Sequence, residues 1–403
     1  RNLKIKTISE LKSISYENCD IGFAVSSLLI DLLNDPNPDL TKKKRIVNDL
    51  LWSTAKSYIL IKKIIRLHKP DSFYIHNGRE GITRGCVRAC EDEGIQYYSY
   101  EGGYDMDKYH VYDNHMPQDS EKIGKTIKEH WDSEKSSKIK NEIAKDYFMK
   151  QKSGVKALSE NYNYTKDQNT ELLPSSWDYD KKNIAIYNTT ENEFASIDYS
   201  WELPFYKNQI DGIKRIVNSV YEQNKEIVFY LRIHPNYAHT NDPSVKEIYK
   251  IDSPNLKIIN ANSKISTYKL MDNVSTVITF ISTAGVESSY WGIPTIVLGT
   301  PFYHKLGGVY LPSSHDECVK LIVQDLKPLD NTGAKMWGYY IETWGVKFKY
   351  YKHIDHYNGL FKNNEIKPSF IYFMLRKNKF FKKLTYPIMS FLKYFNRKKL
   401  VQF

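Results

Sequence analysis

Short unbroken apolar runs alternate along this chain with segments whose apolar residues recur at helical spacing. The clearest run is Ile227-Val228-Phe229-Tyr230-Leu231. Five apolar residues in a row suggest a strand buried on both faces, as in a parallel sheet. Comparable runs are Asn183–Asn188, Leu256–Ile259, Val277–Ile281 and Thr295–Leu298. Helices are expected at Phe205–Tyr221, Ile265–Met271 and His315–Asp325, with Tyr310-Leu311-Pro312 as an edge strand. Strands alternating with helices at this spacing imply a doubly wound parallel sheet.

The first part of the chain reads in the same way, less completely. Asp71–Arg79 is a strand ending in a polar loop, Thr83–Glu93 a helix closed by Gly94, and Ile95–Gly103 the next strand and loop, together a βαβ unit. The segment before it reads as mainly helical, so an initial βα unit is expected to lie ahead of Arg1. Residues 151–182 are polar and read as a linker. The organisation expected is therefore 1–150 and 183–330 as two Rossmann-like doubly wound domains facing a cleft. A helical return segment, 331–365, would follow, its aromatic-rich stretch Ala334–Tyr351 serving packing. The last segment is a tail, 366–403. The fold class is α/β.

Charge changes the picture only at the end of the chain. The formal net charge is +11, and from Ile366 onward there are ten Lys or Arg and no Asp or Glu. The remainder carries 58 − 10 = 48 basic against 47 acidic residues, which argues against a nucleic-acid-binding face on the body. In the tail, Leu384, Ile388, Phe391, Leu392 and Phe395 recur at helical spacing among Lys382, Lys383, Lys393, Arg397, Lys398 and Lys399, with Pro387 as a kink or start. That pattern predicts a basic amphipathic helix lying on an anionic membrane, at roughly 1 kcal/mol per basic residue. The alternative is a helix packed back on the first domain. No apolar run reaches 18 residues and no secretory signal pattern is present. Of the four cysteines, Cys86 and Cys90 share a predicted helix without a matching second pair. Zinc is therefore not expected, and a reduced cytoplasmic compartment is, with the protein peripheral on the inner face of the plasma membrane.

Candidate chemistry gathers at strand ends, where open α/β sheets bind ligands. The Ile227 run ends in Arg232, His234 and Pro235, and a His at that edge can donate to a phosphate or protonate a leaving group. Asn188 and Thr189 end the preceding strand. The run Ser282-Thr283-Ala284-Gly285-Val286-Glu287 leaves a strand and opens a helix of small residues. Such a turn offers hydroxyls, backbone N–H groups and a positive dipole end to an anion, with Glu287 within reach of a ribose. An ordinary N-capped helix is the bland alternative. In the first domain, Glu101 precedes Gly102 and Gly103 and is placed to act as a general base; a plain turn carboxylate is the alternative. Asn77, Gly78 and Arg79 end the neighbouring strand, Arg79 suiting an anionic group. Asp178-Tyr179-Asp180 reads as a solvated loop. No Gly-x-Ser-x-Gly elbow, Walker loop or Gly-x-Gly-x-x-Gly fingerprint occurs, which weakens hydrolase, NTPase and dehydrogenase readings.

Arg232-Ile233-His234-Pro235, the Ser282–Glu287 turn and Gly292-Ile293-Pro294 together resemble the GT-B glycosyltransferases of bacterial capsule and surface polysaccharide synthesis. The likeness is to the His-Pro motif group, with its capsule-type Kdo transferases and bacterial sialyltransferases, over most of residues 70–350. The resemblance implies that His234 contacts the donor phosphate and helps the nucleotide leave, that Ser282 and Thr283 bind that phosphate, and that Glu287 binds the ribose. It places Glu101 at an acidic-Gly motif carrying the base, although Tyr100 stands where that motif has a second acid. No metal or cofactor is implied. The function expected is transfer of a sugar from a nucleotide-activated donor, a CMP-sugar such as CMP-Kdo, to a growing lipid-linked glycan. The alternatives are a nucleotide-sugar epimerase of the same fold and a non-catalytic polysaccharide-assembly subunit.

Overall fold

The chain forms two sheets of different construction, each covered by helices, in a computed structural model that describes residues 5–33, 35–153, 168, 171–239, 243–354 and 358–366. Helices α1 (Ile8–Lys12), α2 (Ile21–Leu33) and α3 (Lys44–His68) come first. Strand β1 (Ser72–His76), helix α4 (Gly81–Glu93) and strand β2 (Gln96–Gly102) then make the βαβ unit, with β1 and β2 parallel. Gly94 closes α4 in the left-handed conformation, its N–H bonded to the carbonyls of Cys90 and Glu91.

The next strand, β3 (Lys108–Asp113), runs antiparallel to β2. The connection from Gly103 to Asp107 is five residues long, whereas a parallel crossover needs a dozen or more. The first sheet is thus mixed, in the order β1-β2-β3-β9, and not the doubly wound parallel sheet expected of this half. Two helices that the polar pattern did not announce follow, α5 (Ser120–Ser133, capped by Asp119) and α6 (Ser137–Ser153).

The second sheet is parallel throughout. Its strands are β4 (Lys182–Tyr187), β5 (Ile227–Arg232), β6 (Leu256–Ile259), β7 (Thr276–Thr279) and β8 (Thr295–Val297), in the order β6-β5-β4-β7-β8. Every residue of β5 and β7 is buried, which is why the sequence runs apolar without alternation. Burying one such Ile or Val contributes roughly 2 kcal/mol. Helix α7 (Gln209–Gln223) starts four residues later than the apolar pattern suggested, because Asn208 caps it by accepting from Asp211 N–H. Helix α8 (Pro243–Ile248) follows β5; α9 (Thr267–Asp272) and α10 (Ala284–Tyr290) flank β7, and α11 (His315–Val323) ends the unit. α7 and α11 pack on one face of the sheet through Ile213, Val217, Cys318 and Ile322, and α9 on the other through Leu270 and Met271. Tyr310 makes only an isolated bridge to Ile296 in place of an edge strand.

The chain then returns to the first half. Helix α12 (Thr332–Thr343) packs its Tyr339 with Trp131 of α5 and Ala144 of α6. The helix expected to run to Tyr351 stops at Thr343, since Trp344 is extended and Gly345 takes φ 108°. Strand β9 (Val346–Lys347) joins the first sheet beside β3. β10 (Tyr351–His353), β11 (Gly359–Phe361) and β12 (Asn364–Ile366) form a separate antiparallel meander. The predicted basic helix of the tail lies outside the described residues. Of the expected linker, residues 171–182 are held to the second sheet, where Trp177 lies against Tyr230 and Asp178 N–H donates to the Tyr230 hydroxyl. Among the described residues no helix is long and apolar enough to cross a membrane.

Candidate functional site

The strand order of the parallel sheet reverses between β4 and β7, so the chain leaves these neighbours in opposite directions and opens a crevice at their carboxyl ends. Thr279 Oγ1, donating to the Tyr187 carbonyl at 2.9 Å, pins the two strand ends together. A pocket of about 140 Å³ lies there. Its walls include Asn188, Arg232, His234, Ser282, Thr283, Ala284 and Glu287, which sequence reasoning selected. They also include Tyr187, Thr267, Tyr268, Gln151 and Gln168, which it did not. Thr189 stands outside, its N–H and carbonyl both bonded to the Gln209 side chain.

Arg232 is 2% exposed. Its Nη1 donates to the carbonyls of Asn260 and Ile233, and its Nη2 to Ser263 at 3.1 Å, so the guanidinium braces the loop after β6. Its Nε finds no partner, and no carboxylate pairs with it among the described residues. Burial lowers its pKa, yet a guanidinium stays charged. The pocket wall therefore holds a buried cation without a counter-charge, an arrangement that is costly unless an anion joins it.

His234 is fixed at both ends. Its N–H donates to Asn188 Oδ1 at 2.9 Å, and its Nδ1 accepts from the Asn236 N–H at 3.2 Å. An accepting Nδ1 leaves the proton of the neutral ring on Nε2. Pro235 starts the short turn that carries Asn236, which explains why the His is followed by Pro. Asn188, 2% exposed, keeps its Nδ2 without a partner among the described residues.

The Ser-Thr turn serves itself as well as the pocket. Ser282 Oγ accepts from Ala284 N–H, and the Ser282 carbonyl accepts from Gly285 N–H and the Tyr303 hydroxyl. These bonds engage N–H groups expected to await an anion, while the exposed Thr283 makes no side-chain cap. Gly285 is dictated by packing, because a Cβ there would meet the Tyr303 hydroxyl at 2.3 Å and Thr279 Cγ2 at 2.7 Å. Glu287 accepts from the Tyr268 hydroxyl. Burial, followed by the Glu287 carboxylate, raises the phenol pKa values of Tyr147, Tyr268 and Tyr303, so the carboxylate sits among three neutral hydroxyls.

The residues selected in the first half form a second cluster. Asn77, at φ 58°, donates through Nδ2 to Glu101 Oε2, and its Oδ1 accepts from Arg79 N–H at 3.0 Å. His76 Nε2 stands 3.6 Å from Glu101 Oε1. Gly102 N–H donates to the same carboxylate at 3.1 Å, and no atom lies within 4 Å of a Cβ built on Gly102. Gly103 is held by its N–H on the Lys108 carbonyl. Arg79 turns away from the pocket: its Nε donates to Ser27 and its Nη1 to the Glu193 carbonyl at 3.0 Å.

Two connections join the clusters. Asn236 Nδ2 donates to Glu193 Oε1 at 3.3 Å, so bonds run unbroken from Glu101 through Asn77, Arg79, Glu193 and Asn236 to His234. Glu193 itself has a raised pKa because protein crowds its carboxyl, opposed by Thr190, Asn236 and Arg79. Tyr104, in the turn after Glu101, is pushed up to about 12 by the protein around it and by Glu193, while Tyr147 feels both Glu287 and Tyr104. Sequence reasoning had no signal for Glu193, Asn236 or the tyrosines, which lie on turns and helices without a motif. Tyr187 was open to discovery as the last residue of a buried parallel strand. Among the described residues no group of three or more His, Cys, Asp or Glu is placed to hold a metal ion.

No family model matches the sequence, and no curated protein matches it. Solved structures give a distant structural similarity. The chain is similar to the KpsC beta Kdo 2,4 transferase of Thermosulfurimonas dismutans, at 11% identity and TM-score 0.44 over 66% of this chain and 78% of that one. It is similar to the KpsC beta Kdo 2,7 transferase of the same organism, at 16% identity and TM-score 0.39 over 71% and 85%. It is also similar to the UDP-GlcNAc 2-epimerase of Neisseria meningitidis bound to UDP-GlcNAc, at 14% identity and TM-score 0.32 over 72% and 79%.

Proposed function

We propose that the protein is a glycosyltransferase that moves a sugar from a nucleotide-activated donor, a CMP-sugar, to a glycan acceptor. The observation that carries this reading is the switch-point pocket, which the uncompensated Arg232 cation, His234 and the Ser282-Thr283 hydroxyls line together with Glu287. An anionic phosphate fits the first three and a ribose diol the last. In the reaction the acceptor hydroxyl attacks the anomeric carbon and gives its proton to Glu101, as the bond from that carbon to phosphate oxygen breaks. The nucleotide departs with the electron pair. His234 Nε2–H and the Arg232 charge stabilise it, worth most where water is excluded. Asn77 and Gly102 N–H hold the Glu101 carboxylate, and the open space at Gly102 admits the acceptor. The acceptor is lipid-linked in this reading, with residues 366–403 keeping the protein on the anionic inner face of the membrane.

A thermal-shift screen with CMP, CDP, UDP, GDP and their sugars tests it. At a hundredfold excess over Kd a ligand stabilises by about 2.7 kcal/mol, a readable rise in melting temperature. A cytidine nucleotide is expected to act, and His234→Ala to remove its effect. A shift with UDP alone would replace the transferase by an epimerase. No shift with any nucleotide would leave a non-catalytic assembly subunit.

A further inference from the structure

We infer that His76 is the relay that carries the acceptor proton from Glu101 to solvent. The inference rests on the proposed reaction, in which Glu101 takes that proton. His76 ends β1 and faces Tyr100 on β2, its ring edge-on to the phenol at 5.3 Å. Consecutive residues of a strand point to opposite faces, yet His76 and Asn77 reach one carboxylate. The left-handed turn at Asn77, φ 58°, makes them converge. Asn77 Nδ2 donates to Glu101 Oε2, while His76 Nε2 stands 3.6 Å from Oε1, which also accepts from Gly102 N–H. A small rotation of the exposed imidazole about its side-chain bonds closes that gap to a hydrogen bond.

The bonds from Asn77 and Gly102 are made to a carboxylate, so a proton left on Glu101 weakens the grip that positions it. That proton has to move on before the next turnover. His110, opposite Glu101 on β3, is 4% exposed, its Nδ1 is bonded to the Tyr112 hydroxyl at 3.0 Å, and burial lowers its pKa. Tyr112 is a buried phenol whose pKa burial raises. Glu80 shares the charge of Glu101 and so repels it in place of pairing with it. His76, with 61% of its side chain exposed, joins the carboxylate to water. In the step the carboxyl O–H bond breaks and a bond from that proton to imidazole Nε2 forms, which restores the carboxylate. The imidazolium then gives a proton to water. An imidazole is a stronger base than a carboxylate, so the transfer runs downhill.

The test follows CMP release from CMP-Kdo by the full chain, with water in the place of the acceptor. His76→Ala is expected to lower kcat about a hundredfold, with the donor KM and the thermal shift by CMP unchanged. Imidazole in the buffer is expected to raise the rate of His76→Ala about tenfold and to leave Glu101→Gln unchanged. A structural role would not be replaced by a free base, so rescue marks a proton relay. Undiminished release by His76→Ala beside an impaired Glu101→Gln would overturn the relay and leave Glu101 as the base. So would a loss in His76→Ala that imidazole does not repair. No release above the uncatalysed rate by the unsubstituted protein would sink the transferase reading and the relay together.

Discussion

The parallel and the mixed sheet place their candidate residues by different means. In the parallel sheet, strand direction alone brings Asn188, Arg232, His234 and Ser282 to one edge, because every strand ends on the same side. In the mixed sheet, β3 runs back against β2, and Glu101 owes its position to side-chain bonds with Asn77 and to the N–H of Gly102. The first site is a property of topology and the second of local contacts. A buried parallel strand end therefore tolerates little change, and a turn held by hydrogen bonds tolerates more.

The largest test of that contrast is Arg232→Ala against Arg79→Ala. The first is expected to cost about 3 kcal/mol in urea unfolding, since the carbonyls of Asn260 and Ser263 lose buried donors, and to abolish nucleotide stabilisation. The second should keep the nucleotide shift. Equal loss of that shift in both variants would break the comparison. A smaller difference is expected between two glycines: Gly285→Ala forces a Cβ into Tyr303 and should cost about 2 kcal/mol, while Gly102→Ala should stay within about 0.5 kcal/mol. Tyr268→Phe removes a donor to Glu287 and should cost about 1 kcal/mol, with weaker nucleotide binding. A Tyr268→Phe protein that bound nucleotide as before would separate Glu287 from the donor site.

The smallest effect is on acid response. His110, His115 and His130 all lie in the first half, and burial lowers each pKa. Folded values below the unfolded ones mean that the unfolded chain binds protons first. Their contribution is complete above about pH 6.5 and declines as pH falls through that value. Among the described residues of the parallel half, burial lowers the pKa of His315 in the same way. Hydrogen exchange between pH 7.5 and 5.5 should thus show β2 and β3 losing protection ahead of β4 and β5; the reverse order would count against this assignment.

Legibility in the sequence followed the same divide. Ile227–Leu231 and Val277–Ile281 announced buried strands because both faces of a parallel strand are covered, and their ends located most of the pocket. Lys108–Asp113 gave no such signal: its residues alternate between buried and half-exposed and its polar content resembles a loop. Its antiparallel direction was set by a five-residue turn. Ser120–Ser153 looked polar because its helices bury only one side. Tyr268 and Glu193 were invisible for a different reason, since each matters through a neighbour far away in the chain. The small size of Gly285 was legible, but its cause was packing against Tyr303 and not room for a ligand.

The bond from Arg79 to the Glu193 carbonyl spans the two halves, and Asn236 donates to the same Glu193. Asn236 is also the residue whose N–H sets the tautomer of His234. Parting the halves would release Glu193, which holds the residue that decides which nitrogen carries the proton. Under the proposed function, a donor that favoured a closed form of the two halves would also hold the His234 proton on Nε2. By reciprocity, an acceptor that favours the closed form would tighten the donor by an equal factor.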